Sequence, residues 1–600
     1  MARHGILQDL PLWRLHARMP EGLRIALAIA TVALGAVIVW RPTTALDVLA
    51  LLLGGGMVLT GVLEANGRAE ERGGRWWRWP VAIGWFALGL FVLVWPGLTV
   101  RAVADITGIL LLLNGGIGVL SAFRAGRGWD ERISDAAFGA TGLIFGVLAL
   151  VWPDITLLVV AVVFGASLII RGSVDLWGAL RGRRDDGRGP RRPVPQRRWG
   201  RTAMALGSVA LAVTVAIVTT PLRDGSTVVD EFYAAPRDVP SEPGRLIRAE
   251  EFTNEVPAKA RAWRILYTTT GVDGRLRVAS GMVMVPRDRA EGTRWPVVQW
   301  NHGTTGFAQH CAPTLQQRPF WVGAMYYPRK VVAEGWAMVA TDYSGLGTTG
   351  PHPYLFGEAS AWASLDAVRA AWELEDAHLS RNTVIWGHSQ GGGAALWSGA
   401  LARSYAPGLW VRGVAALAPA VDPLRLVRDV SQVAGGTIFA SYAFAAYEAI
   451  DPEVTYDRYI RPGAQTVVRA MSQRCLNEPT MALSVLAVVG LSEDRDIFAD
   501  DPTTGPLGAR LRQSTAPALI GPPVFVGQGR ADTIISVGAQ DDAVARMCDA
   551  GQRVDYRRYD GYEHAQIMEG YAPTTADLLA WTRARFESEP VPDGCTTNDG

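Results

Sequence analysis

The chain has 600 residues with nearly balanced charges, 58 Lys and Arg against 57 Asp and Glu for a formal net charge of +1, and it is 49% apolar with 22 Trp. That composition and a mean hydropathy of +0.12 argue against an ordinary soluble enzyme, and the length allows two or more domains. The apolar excess is confined to the first 220 residues.

There it forms runs near 25–39, 44–63, 80–95, 103–122, 138–152, 155–179 and 202–220. Each is long enough, allowing for tilt and interfacial ends, to cross a hydrocarbon core of roughly 30 Å as a helix, so seven crossings are predicted. A cleaved signal peptide does not fit, because the first run is followed by similar partners. The first six runs repeat: a helix, a Trp-Pro turn and a second helix, with Trp40, Trp95 and Trp152 recurring every 55 to 57 residues. The repeating unit reads as a helical hairpin used three times. Pro ends a helix where the chain turns, Trp favours the membrane interface, and Gly54 to Gly56, Gly115, Gly116 and Gly165 offer surfaces for close helix packing.

Arginine sets the orientation. Arg14, Arg18, Arg68, Arg72, Arg75, Arg78, Arg124, Arg127 and Arg132 fall on one side, with the tract RGRRDDGRGPRRPVPQRRWG at 181–200, whereas the Trp-Pro turns carry only Arg41 and Arg101. The N-terminus is therefore expected in the cytoplasm and everything after the seventh crossing outside the plasma membrane. Beside a membrane helix the basic tract reads as a topology determinant and a contact for anionic lipids rather than a nucleic-acid patch. Asp47, Asp105 and Asp154 raise a transport reading, but Asp154 falls in a turn and the other two are expected near helix ends. Residues 20–180 resemble the acid-resistance (HdeD-like) family of six-helix membrane proteins, which implies a stress-related membrane protein and no particular reaction. Oligomerisation through this part is left open.

After Pro221 the composition changes, and all four cysteines, Cys311, Cys475, Cys548 and Cys595, lie there. An even number in the segment placed outside suits structural disulfides. Zinc is the competitor, but the spacings are long and neither C-x-x-C nor HExxH occurs, so no metal site is expected. WRILYTTT and ASGMVMVP read as edge strands of a leading hairpin. WPVVQWNHG and WAMVATDYSGLG read as strands entering turns, then a helix at 359–376, the strand TVIWGH, the helix GGAALWSGALARSY and the strand VRGVAALAP. That alternation predicts a parallel sheet covered on both sides.

The stretch VIWGHSQGGG puts Ser389 between a strand and a helix. About 0.4 chance matches to G-x-S-x-G are expected in a chain this rich in glycine, so this context, not the pattern, makes Ser389 the candidate nucleophile. A serine needs a base, and His564 is the one histidine downstream of it. Asp532, 32 residues earlier after the strand VFVG, is the candidate acid that would orient the imidazole, with Asp560 as its rival. For the oxyanion, one donor should be the backbone N–H of Gln390 and the other should come from NHGTTG at 301–306, with Thr305 or Gly306 preferred. His302 belongs to that loop and is expected to be structural.

In order, FYAAPRDVPSEPGRLIR, NHGTTGFAQHCAP, DYSGLGTTGPHPYL, GHSQGG and GQGRADTIISV make residues 230–590 resemble the secretory lipase (lipase A-like) family of fungi and bacteria, which has the α/β-hydrolase fold. The resemblance implies the triad Ser389, Asp532 and His564, pairing of Cys311 with Cys475 and Cys548 with Cys595, and a helical cap inserted at about 422–512. Family members are secreted free, whereas this chain carries a membrane part. The expected organisation is an all-α transmembrane bundle at 1–180, a basic linker at 181–200, a seventh helix at 201–221 and an α/β-hydrolase at 222–600. The expected activity is cofactor-free serine hydrolysis of lipid or other hydrophobic acyl esters. Small esters, acyl transfer in the envelope, peptide hydrolysis, and a transport or structural role are the competing readings.

Overall fold

The computed structural model describes residues 21–66, 75–124, 128–180, 198–223, 227–288, 292–433 and 435–599. Arg14, Arg18, Arg68, Arg72, Arg127 and positions 181–197 of the basic tract, on which much of the charge argument rests, lie outside them. The chain divides into two compact units. One is Met1–Pro221 with two later segments, Ile460–Val467 and Val485–Ile497; the other is Leu222–Tyr459, Val468–Ser484 and Phe498–Gly600.

The first unit is an all-α bundle. Its helices are α1 (Glu21–Trp40), α2 (Pro42–Asn66), α3 (Arg75–Val94), α4 (Pro96–Ala122), α5 (Trp129–Val151), α6 (Pro153–Leu180) and α7 (Arg198–Val218). Pro42, Pro96 and Pro153 each stand first in a helix, where the missing N–H costs nothing and the fixed φ suits the turn. Five helices, α1, α2, α4, α5 and α6, are long and apolar enough to cross a membrane, which makes this a multi-pass membrane protein. The apolar parts of α3 and α7, Trp79–Val94 and Thr202–Val218, are shorter than the full crossings expected of them. Asp105 is not near a helix end: it stands roughly two and a half turns into α4, with its carboxylate 4.0 Å from Arg101 one turn earlier.

The hairpin of the sequence repeat is not the unit of packing. Helices joined by a Trp-Pro turn touch each other little, whereas α2 lies along α3, α4 along α5, and α1 along α6. Glycine permits these close pairs: a Cβ on Gly89 would lie 2.7 Å from the Gly54 carbonyl oxygen, one on Gly139 2.7 Å from that of Gly115, and one on Gly35 2.6 Å from that of Gly165. The second helices of the three repeats, α2, α4 and α6, then meet in a small core of Leu46, Ala50, Val100, Ala104 and Leu157. Leu46, Val100 and Leu157 each follow the turn proline by four residues, so the repeat places equivalent side chains on one axis. Hydroxyl pairs between Ser134 and Thr202 and between Thr141 and Ser208 tie α7 to α5.

The second unit is built on a ten-stranded sheet of order β1-β2-β3-β5-β4-β6-β7-β8-β9-β10. The strands are β1 (Leu246–Phe252), β2 (Ala260–Thr270), β3 (Leu276–Pro286), β4 (Trp295–Asn301), β5 (Ala337–Ser344), β6 (Leu379–His388), β7 (Trp410–Leu417), β8 (Val524–Gly529), β9 (Val554–Tyr559) and β10 (Cys595–Asp599). Pairings from β1 to β5 are antiparallel, and those from β5 through β4 to β10 are parallel. The predicted leading hairpin exists as β2–β3 but is not an edge, because the charged strand β1 lies outside it. Both faces are covered: along β6, Val384 and Trp386 join a core with Leu578 and Trp581, while Ile385 between them joins another with Leu396 and Val544. Helices α8 (Gly357–Ala371) and α9 (Gln390–Tyr405) precede and follow β6. Between β7 and β8 the chain is helical, including α10 (Gly436–Ile450), α11 (Pro462–Ser472), α12 (Met481–Leu491) and α13 (Gly505–Gln513), as expected of a cap. Parts of α11 and α12 belong to the bundle.

Candidate active site

Strand β6 delivers Ser389 at φ 57° and ψ −121°, a strained conformation for a residue with a side chain, and α9 starts at the next residue. Hydrogen bonds fix this turn: Ser389 N–H donates to the Leu417 carbonyl at 2.9 Å, and its own carbonyl accepts from Ala420 N–H at 2.9 Å and Gly393 N–H at 3.2 Å. The flanking glycines are sterically required. A Cβ on Gly387 would strike the Gly391 carbonyl, and one on Gly391 would strike the Asn301 carbonyl at the end of β4. The glycines that make the motif easy to match by chance are thus the ones that let strand, turn and β4 close on each other.

Asp532 follows β8 and His564 follows β9, and the imidazole Nδ1–H donates to Asp532 Oδ2 at 2.8 Å. The other carboxylate oxygen accepts from the backbone N–H groups of Ile534 and Ile535 at 2.9 and 2.8 Å, and Gln528 Nε2 donates to Oδ2 at 3.0 Å. Burial by itself would raise the Asp532 pKa, but the bond and charge of His564 and the two amides outweigh it and hold the group below the usual carboxylate range. Asp560, the rival, is exposed and pairs with Arg530 at 3.1 Å.

Two supporting residues were not singled out from the sequence. Gln528 fixes the carboxylate from inside β8, and His388, directly before Ser389, donates from Nε2 to the His564 carbonyl at 3.1 Å. Burial, helped by the neighbouring His564, lowers His388 to about 3, so it is neutral and serves as a donor, not a base. The only sequence signal for either is adjacency: one precedes the serine, the other sits four residues before the aspartate.

The loop after β4 is braced on all sides. Asn301 Nδ2 donates to the Trp386 carbonyl at 2.9 Å, and the Thr305 carbonyl accepts from Leu476 N–H at 2.8 Å. Gly306 adopts φ 143°, and a Cβ there would run into the Cys311 sulfur. Cys311 is bonded to Cys475 of the insertion, and Cys548 to Cys595 at the start of β10. His310 lies beside the first disulfide, but bridged sulfurs are not thiolate ligands. His302 is buried against Tyr343, donates from Nδ1 to the Gly303 carbonyl at 2.6 Å, and is lowered by burial to about 4. The Gln390 side chain donates to Nε2 of His352, whose pKa burial lowers to about 3.

Ser389, Gln390 and His564 open onto one cavity of about 570 Å³. From the β4 loop its wall takes Gly303 and Thr304, not Thr305 or Gly306. The Thr304 hydroxyl is paired with Tyr354 at 2.8 Å. Most of the remaining wall is apolar, with Phe320, Trp321, Tyr326, Leu426 and Phe439 prominent. A largely apolar wall thus surrounds a hydroxyl, an imidazole and a helix N-terminus.

Residues 324–594 match the family model of secretory lipases, and residues 26–86, 80–145 and 137–193 each match a short repeat of unknown function. A Mycobacterium tuberculosis protein named "Probable inactive lipase MT1628" is 26% identical over 392 residues, which cover 61% of this chain and 83% of that one. Lipase 1 of Candida albicans is 23% identical over 427 residues, covering 65% and 86%. Among solved structures, Candida antarctica lipase A superposes with a TM-score of 0.51 at 20% identity, over 62% of this chain and 89% of its own. The second unit therefore has the fold of these lipases, and the likenesses support an enzyme of the serine hydrolase or esterase kind.

Proposed function

We propose that this chain is a membrane-anchored serine lipase or esterase, with Ser389 as nucleophile, His564 as base and Asp532 as its orienting acid. The observation that carries the reading is the convergence of Ser389, on a strained strand-to-helix turn, and His564, bonded to a buried carboxylate, on one largely apolar cavity. In this mechanism His564 Nε2 takes the Ser389 proton as the oxygen attacks the ester carbonyl. Asp532 holds the opposite ring nitrogen and stabilises the imidazolium. The Gln390 N–H, which opens α9 and lacks an intrahelical acceptor, and a donor from the 301–306 loop stabilise the oxyanion. His564 then protonates the departing alcohol, and water repeats the sequence on the acyl-enzyme.

The apolar lining and the membrane part favour lipid or other hydrophobic acyl esters as substrates. Two disulfides agree with an oxidising compartment, which supports a catalytic unit outside the plasma membrane and a cytoplasmic N-terminus. The basic tract at 181–200 would then face anionic lipids on the inner surface. The resemblance of residues 20–180 to acid-resistance proteins adds a stress-related setting.

The test is hydrolysis of p-nitrophenyl esters of increasing chain length by the full chain in detergent, beside Ser389→Ala. A fall of about 10³-fold or more in the variant, with long chains preferred, is expected. Unchanged activity in Ser389→Ala would overturn the nucleophile.

A further inference from the structure

Helix α12 has an anomalous surface. Met481–Leu491 contains no charged residue, yet only one side of it is covered: Leu483, Ser484, Ala487 and Leu491 are buried, while Val485, Leu486 and Val489 are 48%, 56% and 71% exposed. A cap helix facing water would carry polar groups there. Among the described residues after Pro221, few other large apolar side chains are as exposed, and no other three share a helix face.

Its second half belongs to the membrane bundle. A Cβ on Gly490 would lie 2.9 Å from Leu158, the sixth residue of the membrane-length helix α6, so the close approach falls within about two turns of that helix's start. The residues just after α12 are polar and grip the Trp-Pro end of the bundle. Glu493 N–H donates to the Trp40 carbonyl at 3.3 Å. Asp494 accepts from the Thr43 hydroxyl at 2.9 Å, from Thr44 N–H at 2.9 Å and from the Thr44 hydroxyl at 2.7 Å, which caps the start of α2. Arg461 donates to the Thr44 hydroxyl at 2.9 Å, and Gly463 N–H donates to Asp47 at 2.5 Å. The polar stretch after α12 sits at the helix termini and its apolar turn sits against the flank of α6, and a helix apolar all round is otherwise buried in a core or in lipid.

We propose that α12 is an interfacial membrane helix whose Val485, Leu486 and Val489 face is covered by lipid acyl chains of the leaflet at the Trp-Pro turns. Exposure of those residues then has the same cause as that of Val37, Leu49 and Val159 on α1, α2 and α6. The insertion thus brings its own membrane element to the bundle, and Leu476 and Asn477, four or more residues before α12, line the catalytic cavity. Resting on the esterase reading above, the proposal names the substrate source: acyl ester lipids of that leaflet, not esters dissolved in water.

Because all four native cysteines are bridged, a single introduced thiol can be labelled alone. The full chain carrying Ser389→Ala and either Leu486→Cys or Val489→Cys is labelled with bimane and reconstituted into phosphatidylcholine vesicles containing a nitroxide at carbon 5 of the acyl chain. The expected result is severalfold quenching by the nitroxide lipid and little by aqueous iodide, the reverse of a label placed by Trp410→Cys on the exposed end of β7. Iodide quenching at 486 and 489 equal to that at 410 overturns the proposal, as does shielding that disappears on dilution with excess lipid, which would mean a second copy covers the face. In the active chain, Leu486→Glu with Val489→Glu should lower hydrolysis of vesicle-borne acylglycerol about tenfold and leave a soluble short-chain ester unaffected; equal loss on both substrates overturns the substrate source. Absence of any Ser389-dependent activity would sink the esterase reading while leaving the depth measurement intact.

Discussion

The two units use the same apolar residues in opposite ways. In the bundle, large side chains such as Leu52 and Leu120 point outward, and many of the buried positions are small, among them Ala50, Ala104, Gly115 and Gly139 beside a few larger ones such as Leu46 and Leu157. In the sheet unit the order reverses, with Trp300, Trp386, Tyr267 and Phe525 wholly enclosed. The difference teaches which solvent each surface was selected for. Water drives large apolar groups inward, whereas lipid exerts no such drive and leaves backbone proximity through small residues as the source of cohesion.

The sharpest way to test that contrast starts in the sheet unit, with one isosteric exchange of a polar atom. Asp532→Asn keeps the shape of the buried carboxylate but offers His564 the wrong partner, and kcat is expected to fall about 10⁴-fold while the unfolding midpoint drops only slightly, by the share of stability that the depressed carboxylate pKa represents. A comparable fall in stability would show that the carboxylate holds up the fold and not the imidazole. Next in size is the covalent brace of the β4 loop. Cys311→Ser with Cys475→Ser opens a link across 164 residues and should cost about 2–5 kcal/mol of stability in denaturant titration of the sheet unit. The bundle, which has no cysteine, should lose its helical signal at the same denaturant concentration as before.

Where local pattern decides structure, the sequence was legible. Apolar runs broken by Trp-Pro located the bundle helices, and strand-turn-helix order around Ser389 located the strained turn that carries it, because both are set by residues near one another in the chain. What stayed hidden depends on distant contacts. Nothing in the repeat says that α1 closes on α6 or that α2 prefers α3 to its own Trp-Pro partner, since helices such as α2 and α4 carry glycines on more than one side. Strand β1, with the charged sequence LIRAEEF, lacks the apolar alternation of a strand and is defined by pairing with β2. Which residues of 301–306 line the cavity is likewise set by distant contacts: Gly303 and Thr304 do, while Gly306 turns at φ 143° against the disulfide.

A smaller effect is expected from the bundle's close contacts. Gly139→Leu places a branched chain where even a Cβ meets the Gly115 carbonyl and Val119 backbone of α4. Separating α4 from α5 should destabilise the bundle by about 1–3 kcal/mol in detergent unfolding. Gly116→Leu on α4, where a Cβ meets nothing within 4 Å, is its control and should be tolerated. Equal tolerance of both would break the claim that glycine proximity holds the bundle together.

The smallest effect separates the units by pH. No histidine lies between residues 17 and 301, whereas burial lowers His302 to about 4 and His352 and His388 to about 3 in the sheet unit. The unfolded chain protonates such groups near 6.5, so from there down to about 3 it binds more protons than the folded one. Their stabilisation is fully present above pH 6.5 and is lost as pH falls through the folded values; Asp532, held below its ordinary pKa, acts in the same sense at lower pH. Burial raises Asp342, and raises Asp366 to about 6; these keep a proton longer in the folded state and oppose the histidines in part of the window. One substitution isolates the histidine contribution from that opposition. In His352→Gln the slope of unfolding free energy between pH 6.5 and 4 should be shallower than in the parent by about one proton, or about 1.4 kcal/mol per pH unit. An unchanged slope would mean that His352 takes up its proton as readily folded as unfolded, and that the pocket beside Gln390 admits water.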